Sequence, residues 1–196
     1  MKDRKLLNIE LGRLSAEAYR QKPESGLVLV LDNIRSAHNV GSAFRTADAF
    51  GVDKIYLGGI CPVPPSPELH KVALGAEDAV PFEQVQDVVE LVHRLQADGY
   101  TVIAVEQTVH SVKLDEFQAG RDTGSPGHRP VFSPGEPVSL PERKYALIFG
   151  NEVSGVQQSV VDAADFALEI PQQGTKHSLN VSVSIGVVLW AFQLKN

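Results

Sequence analysis

Five consecutive apolar residues, Leu27 to Leu31, restrict most strongly how this chain can fold. A short run of this kind, without polar alternation, predicts a strand that is covered on both faces, as strands are in a parallel sheet. Four further segments predict strands at residues 54–57, 101–105, 145–149 and 166–170. Because predicted helices lie between several of these strands, we expect an α/β fold with a parallel sheet.

Three predicted helices accompany these strands, at residues 40–50, 84–98 and 179–194, and Gly51 ends the first of them. Residues 3–20 have the apolar spacing of a further, amphipathic helix that packs on the rest of the chain. A length of 196 residues fits one domain. We therefore expect residues 1–22 to form an N-terminal helical extension and residues 23–196 to form the main domain.

The charge balance excludes one class of nucleic-acid-binding protein. With 18 basic and 24 acidic residues the formal charge is −6, whereas non-specific coating of nucleic acid needs a basic surface. Residues 1–22 carry six basic and three acidic side chains, which permits a local RNA contact. A solvated helix face explains that surplus equally well.

Cysteine usage and hydropathy indicate the compartment. The single cysteine, Cys61, cannot form an internal disulfide, which predicts a reducing, cytoplasmic environment. Cys61 has no neighbouring His or second Cys, so we expect a small buried or loop residue and no metal site. No apolar stretch approaches the ~20 residues that span a bilayer, so we expect no membrane association.

Residues 120–143 are rich in glycine and proline and predict a long loop. A loop of this length inside a compact domain is functional or mobile. Because about 50 residues follow it, too few for a second domain, we interpret it as an excursion from the sheet.

A first group of polar residues follows the strand at Leu27–Leu31, at the end of the strand where α/β folds bind ligands. Asn39 is placed to cap the next helix, and Arg45 lies under two turns further along it, so both could face one cleft. Arginine suits phosphate because its planar group bonds bidentately. A capping Asn39 and a surface ion pair of Arg45 are the structural alternative.

Two more groups follow later strands. Gly150 ends the strand at 145–149 and lets a ligand approach the backbone, and Glu152 follows it. A carboxylate stabilised by a helix N-terminus is the alternative reading of Glu152. Residues 170–186 read both as an alternating strand and as a helix with small residues at Ser178, Ser182 and Gly186. Such small residues would let another backbone come close.

Together, and in this order, the three groups resemble the SpoU (TrmH) branch of the SPOUT RNA methyltransferases. The resemblance runs from about residue 27 to residue 192. Residues 39–51 resemble the first motif, N-x-G-x-x-x-R-T-A-x-x-F-G, residues 147–156 the second, with its G-x-E core, and residues 170–186 the third, I-P-x-x-G-x-x-x-S-L-N-V-S-V-S.

The resemblance implies a SPOUT (α/β-knot) fold whose C-terminal segment forms a deep trefoil knot, and a homodimer whose site is completed across the interface. It implies S-adenosylmethionine as the cofactor and tRNA or rRNA as the partner. Cofactor contacts carried over from the family fall on Gln107 or its neighbours, Gly150, Ile170 and Leu179. Its functional polar residues correspond to Asn39, Arg45, Glu152, Ser178 and Asn180.

The usual acceptor in this branch is a ribose 2′-hydroxyl. Arg45 is the position on which the family's catalysis centres, but a guanidinium is a poor base at neutral pH. We expect Arg45 to stabilise the developing alkoxide or to grip a phosphate, with a deprotonated Arg45 as the competing account. By the same resemblance, Glu152 would orient Arg45 or Asn39, and Ser178 and Asn180 would shape the ribose pocket.

Three other functions remain open at this point. The chain could be an RNA-binding or assembly protein that keeps the cofactor pocket as a relic, although all five polar residues are present. It could methylate a base nitrogen, as other SPOUT branches do. It could also be an α/β ligand-binding protein without methyltransferase activity, which would bind no S-adenosylmethionine.

Overall fold

The computed structural model describes residues 4–117, 144–175 and 177–193, the side chains of residues 8 and 9 excepted. Within them, seven strands form one parallel sheet in the order β3-β2-β1-β6-β4-β7-β5. The strands are β1 (Leu27–Asp32), β2 (Lys54–Gly58), β3 (Phe82–Val85), β4 (Tyr100–Val105), β5 (Val112–Lys113), β6 (Lys144–Phe149) and β7 (Phe166–Glu169). The predicted α/β fold with a parallel sheet is confirmed.

Helices cover both faces of the sheet, as a parallel sheet requires. They are α1 (Ala16–Arg20), α2 (Ala37–Ala49), α3 (Pro67–Ala73), α4 (Ala76–Ala79), α5 (Val88–Ala97), α6 (Gln158–Ala163) and α7 (Val181–Gln193). One core joins a face of the sheet to α1, α2, α3, α4 and α7, and a second core joins the other face to α5 and α6. The fold is therefore a three-layer sandwich.

Strand β1 lies in the interior of the sheet, between β2 and β6, and every residue in it is buried. Leu29 and Leu31 point into the core with α2 and α7, whereas Val28 and Val30 point into the core with α5. This alternation explains why the strand is apolar on both faces, and it confirms the prediction made from the run at Leu27–Leu31.

The N-terminal segment differs from the predicted single helix. A 3₁₀-helix spans Asn8–Leu11, and Gly12, with a φ of 59°, ends it before Ser15 caps α1. The leucines of this segment are exposed instead of packed. Tyr19 anchors the segment, because its hydroxyl donates to the carbonyl oxygens of Ala47 (3.1 Å) and Val52 (2.7 Å).

The predicted helix at residues 84–98 begins later than expected. Residues 82–85 are strand β3, which pairs with β2, and α5 starts at Val88 after an N-cap at Asp87. Val85 fits the apolar pattern of the helix by coincidence, because one residue cannot distinguish the helical period of about 3.6 residues from the strand period of about 2. The short helices α3, α4 and α6 and strand β5 were not predicted.

The glycine- and proline-rich loop predicted at residues 120–143 lies outside the described residues. Among the described helices, none combines the length and the apolar character that crossing a bilayer requires.

Candidate functional site

A cavity of about 540 Å³ lies at the carboxyl ends of β4, β6 and β7. Three segments build its walls, each of them at the carboxyl end of one strand: residues 105–107 at the end of β4, 149–155 at the end of β6 and 168–170 at the end of β7. Residues 177–181, which lead into α7, close it. A cavity at this edge of the sheet is where open α/β folds bind ligands.

The cavity brings together seven of the nine residues that were predicted for the site. All four predicted cofactor contacts line it: Gln107, Gly150, Ile170 and Leu179. Three of the five predicted polar residues line it as well: Glu152, Ser178 and Asn180. Asn39 and Arg45 are not among the lining residues.

Glu152 connects Asn39 to the edge of this cavity. Its Oε1 accepts a hydrogen bond from the Asn39 side-chain amide at 2.8 Å and from the Ser36 N–H at 3.3 Å. Its Oε2 accepts from the Arg35 N–H at 3.3 Å. Glu152 therefore holds Asn39 and also accepts backbone N–H groups at the start of α2. Its contacts are compatible with both hypotheses: orientation of Asn39, and a carboxylate stabilised by a helix N-terminus.

The hydrogen bonds of Glu152 act on its pKa. Partial burial favours the protonated form, but the hydrogen bonds from Asn39 and from backbone N–H groups, including those of Arg35 and Ser36, favour the carboxylate more strongly. The pKa of Glu152 is therefore held below its usual value. The side chain carries a full negative charge at neutral pH.

Asn39 does not cap α2, contrary to the prediction. Ser36 is the N-cap, and its hydroxyl accepts the N–H of Asn39 at 3.3 Å. Asn39 lies in the first turn of the helix, so its side chain is free to reach outward. Its Oδ1 accepts a hydrogen bond from the Asn180 side-chain amide at 3.3 Å, which links α2 to the segment before α7.

Asn180 has two roles in the structure. Its Oδ1 accepts the N–H of Ser182 at 2.8 Å, the geometry of a helix cap, while its amide group donates to Asn39. The cap fixes the start of α7 at Val181 and positions the Asn180 amide beside the cavity. The prediction of a helix in the C-terminal segment is thus confirmed, two residues later than expected.

Arg45 lies on α2 but does not share the cleft with Asn39. Six residues along a helix rotate the second side chain by about 120° from the first, so the two diverge. Arg45 is exposed, and it has no hydrogen-bond or ion-pair partner among the described residues. Of the two partners predicted for Glu152, the side chain bonds Asn39 and not Arg45, and the alternative surface ion pair of Arg45 is absent among the described residues.

Sequence reasoning missed several residues that shape the cavity. Glu106, Glu169 and Asn151 line it, and the buried Asn151 donates its side-chain amide to the Asn33 carbonyl at 2.7 Å. Asp32 is fully buried beneath the same segment. The one available signal was position, because each of these residues lies at or just after the end of a predicted strand.

Cys61 is buried, as predicted, and lies away from the cavity lining. Burial is the main reason why the pKa of its thiol rises to about 12. The Sγ donates to the Leu31 carbonyl at 3.2 Å. Among the described residues, no group of His, Cys, Asp and Glu side chains could hold a metal ion.

Comparison with known proteins gives a consistent result. The family model described as "SpoU rRNA Methylase family" matches residues 26–190. The chain is similar to a 23S rRNA (guanosine-2′-O-)-methyltransferase, RlmB, of Nitrosomonas europaea, with 32% identity over 171 residues, which cover 85% of this chain and 55% of that protein. The chain thus spans about half the length of that curated relative.

Two crystal structures have a similar fold. The TrmH/SpoU tRNA modifying enzyme of A. aeolicus matches with a TM-score of 0.72 and 24% identity, over 92% of this chain and 81% of that one. An rRNA methyltransferase from Sinorhizobium meliloti, solved with AdoMet bound, matches with a TM-score of 0.70 and 25% identity, over 90% of this chain and 59% of that one.

Proposed function

Because the chain belongs to the SpoU rRNA methylase family, we propose that it transfers a methyl group from S-adenosylmethionine to a ribose 2′-hydroxyl of tRNA or rRNA. The observation that carries the proposal is the convergence of seven predicted residues, six of them from the motifs, on one cavity, with Asn39 bonded to its edge through Glu152 and Asn180. These residues come from four separate segments of the chain, so their proximity is a property of the fold.

The cavity fits the cofactor. Its volume of about 540 Å³ lies within the ~300–1,000 Å³ typical of small-molecule sites. The carboxylates of Glu106, Glu152 and Glu169 line it and favour a ligand with positive charge. When bound, S-adenosylmethionine supplies a methyl group on a positively charged sulfur that leaves as a neutral thioether.

Four residues would hold the cofactor: Gln107, Gly150, Ile170 and Leu179. A Cβ at position 150 would overlap the backbone of Gly155 and Val156, so only glycine lets the loop fold this closely over the end of β6. Leu179 is 40% exposed although it is a large apolar residue, and it faces the cavity. A bound ligand would cover this apolar surface and gain binding energy from it.

The remaining residues would act on the acceptor. Four of them would form the edge of the cavity against which the ribose is positioned: Asn39, Glu152, Ser178 and Asn180. Positioning supplies a large part of the rate in such a reaction. Arg45 would grip the neighbouring phosphate or stabilise the oxygen as it loses its proton. A deprotonated Arg45 that takes this proton itself is the competing mechanism.

A homodimer would bring Arg45 to the site. Arg45 does not line the cavity of its own chain, so a second copy that supplies it would complete the constellation. Helix α7 supports this arrangement, because its outward face exposes Val183, Val187 and Trp190. Apolar side chains aligned on one helix face favour burial against another surface.

We also propose that the C-terminal segment forms a deep trefoil knot. Strand β7 lies on the far side of β4 and β6 from β1, whereas α7, which follows it, packs against α2. Residues 170–175 and 177–180 therefore lie between β7 and α7 at the carboxyl end of the sheet, where residues 150–155 line the same cavity. Passage beneath that segment would produce the knot, and a crystal structure in which the chain passes outside it would contradict this proposal.

Residues 1–22 are our candidate for an additional RNA contact within this function. Deleting them should weaken RNA binding while leaving the affinity for S-adenosylmethionine unchanged, because none of the described residues of the segment, 4–22, lines the cavity. Filter binding and calorimetry measure the two affinities. Unchanged RNA affinity would contradict a role of the segment in binding.

Calorimetric titration with S-adenosylmethionine, combined with a methyl-transfer assay, tests the proposed function. Arg45→Ala should abolish transfer and leave cofactor binding largely intact, because Arg45 acts on the acceptor. Arg94→Ala, on the opposite face of the sheet, is the matched control and should keep both. Loss of cofactor binding in Arg45→Ala would show that the role assigned to Arg45 is wrong.

A further inference from the structure

One carboxylate joins two of the segments that build the cavity. Glu106, directly after β4, accepts the N–H of Val156 on Oε2 at 2.9 Å and the N–H of Gln107 on Oε1 at 2.9 Å. Gln107 lies on the wall at the end of β4, and Val156 directly follows Gly155, the last lining residue of the wall at the end of β6. The two walls are therefore tied to each other through a single side chain.

The segment that Glu106 holds is itself a compact turn. Asn151 and Gly155 exchange two backbone hydrogen bonds of 2.9 Å, and the Asn151 Oδ1 accepts the N–H groups of Val153 and Ser154. Gly155 has a φ of 69°, and a Cβ there would overlap the Glu106 carboxylate. The glycine thus provides both the turn geometry and the space that lets Glu106 approach.

A separate anchor holds Gln157, the residue that follows Val156. Asp32, at the end of β1, accepts the backbone N–H of Gln157 at 2.9 Å and its side-chain amide at 2.7 Å. Asp32 is fully buried and does not line the cavity, whereas Glu106 does. Of the two carboxylates, Glu106 is the one whose loss would change the cavity wall directly.

We infer that Glu106 is a positioning residue for the cofactor, which it serves by holding residues 150–156 at a set distance from Gln107. The inference rests on the proposed function. With Glu106 in place the cavity is preorganised, so binding does not have to order the turn. Without it, cofactor binding would have to order the turn, and the free-energy cost of this ordering would weaken binding.

The variants Glu106→Ala and Glu106→Gln test this role, with Glu90→Gln on the exposed side of α5 as the control. Hydrogen bonds to charged groups are worth enough that Glu106→Ala should weaken S-adenosylmethionine binding ~10- to 100-fold. Glu106→Gln should show a smaller loss, because its amide oxygen can still accept one N–H while its NH₂ group faces the other. Calorimetry gives both affinities.

Steady-state kinetics separate positioning from a general structural effect. The KM for S-adenosylmethionine should rise in both Glu106 variants, while the KM for RNA and the melting temperature of Glu106→Gln stay close to those of the wild type. If Glu106→Ala does not fold, the nearly isosteric Glu106→Gln decides the question.

Two results would overturn the inference, and they are distinguishable. In the first, the wild type binds S-adenosylmethionine, and every Glu106 variant that folds, including Glu106→Gln, binds it with an affinity within twofold of the wild type. The positioning role is then wrong and the proposed function stands. If the wild type itself binds none, the proposed function fails and the inference fails with it.

Discussion

At the scale of single residues, the hydrogen bonds of Glu152 account for the arrangement of the proposed acceptor side of the cavity. Its carboxylate bonds Asn39 and two backbone N–H groups before α2, and Asn39 in turn accepts from Asn180. Three residues from three motifs are connected in this way. A change at one of them is therefore expected to be measurable at another.

Asn39→Ala should raise the pKa of Glu152 toward its usual value, because it removes a side-chain hydrogen bond that favours the carboxylate. An NMR titration of the Glu152 carboxyl group measures the shift. Since the folded-state pKa is depressed, this group stabilises the wild type above its unfolded-state pKa, and the contribution is lost as the pH falls through the folded value. An unchanged titration midpoint would contradict the assigned hydrogen bond.

Cys61 should react very slowly with an aromatic disulfide reagent at pH 8, because the thiol is buried and its pKa is raised to about 12. One equivalent should react rapidly once the chain is unfolded in guanidinium. Absorbance of the released thiolate follows both reactions. Rapid labelling of the folded protein would contradict the burial of this side chain.

The motif residues could be predicted from the sequence, whereas the groups that support them could not. Gly150, Glu152 and Asn180 stand in recognisable local patterns. Glu106 and Asp32 act by accepting N–H groups of a turn that is about 50 and 125 residues away along the chain. A contact between distant backbone and side-chain groups leaves no local signature.

At the scale of elements, the position of α2 determines where Asn39 points. Ser36 caps the helix, and Gly41 lets α3 pack closely on its other side. A Cβ at Gly41 would lie 2.6 Å from the Leu69 carbonyl oxygen and 3.1 Å from the Val72 Cβ. The helix is thus held between α3 and the segment that contains Glu152.

Gly41→Ala should destabilise the protein by about 1–3 kcal/mol, since the added methyl group has to displace backbone of α3. The gain in helix propensity offsets part of this cost. Ser42→Ala on the same turn is the control and should change stability by less than about 0.5 kcal/mol. Urea denaturation measures both, and a more stable Gly41→Ala variant would contradict the close packing of α2 and α3.

The C-terminal segment shows why periodicity alone left its structure open. Four apolar residues of this segment alternate with polar ones: Leu179, Val181, Val183 and Ile185. Only Val181 and Ile185 are buried. Those two are four residues apart, a spacing common to a strand and a helix. The cap at Asn180 decides in favour of the helix. At Gly186, the last residue of the small-residue stripe, no other backbone among the described residues comes close, because a Cβ there would meet nothing within 4 Å.

At the scale of the whole molecule, the sheet and the exposed face of α7 determine how a complete site can form. The predicted parallel sheet is present, but the sequence could not indicate that β6 lies between β1 and β4, because strand order depends on contacts between distant segments. That order brings the segment after β6 next to α2. The proposed dimer would then supply Arg45 from the other copy.

Val187→Asp should convert the proposed dimer into a monomer, because it places a charge on the outward face of α7. In this variant, the rate of methyl transfer should decrease together with the fraction of dimer, while S-adenosylmethionine binding is retained. Leu74→Asp, which changes an exposed leucine outside α7, is the matched control and should leave the dimer intact. Sedimentation velocity measures the oligomeric state, and a wild type that is monomeric at the concentrations of the assay would contradict the proposed dimer.

The most direct test of the central claim is to identify the methylated nucleoside. The purified protein is incubated with S-adenosylmethionine labelled in its methyl group and with tRNA and rRNA from cells that lack this gene, and the RNA is digested to nucleosides. We predict that the label appears in a 2′-O-methylnucleoside, at a linkage that resists alkaline hydrolysis, and that Arg45→Ala transfers none. Label on a base, or no transfer to either RNA by a protein that binds the cofactor, would contradict the proposed function.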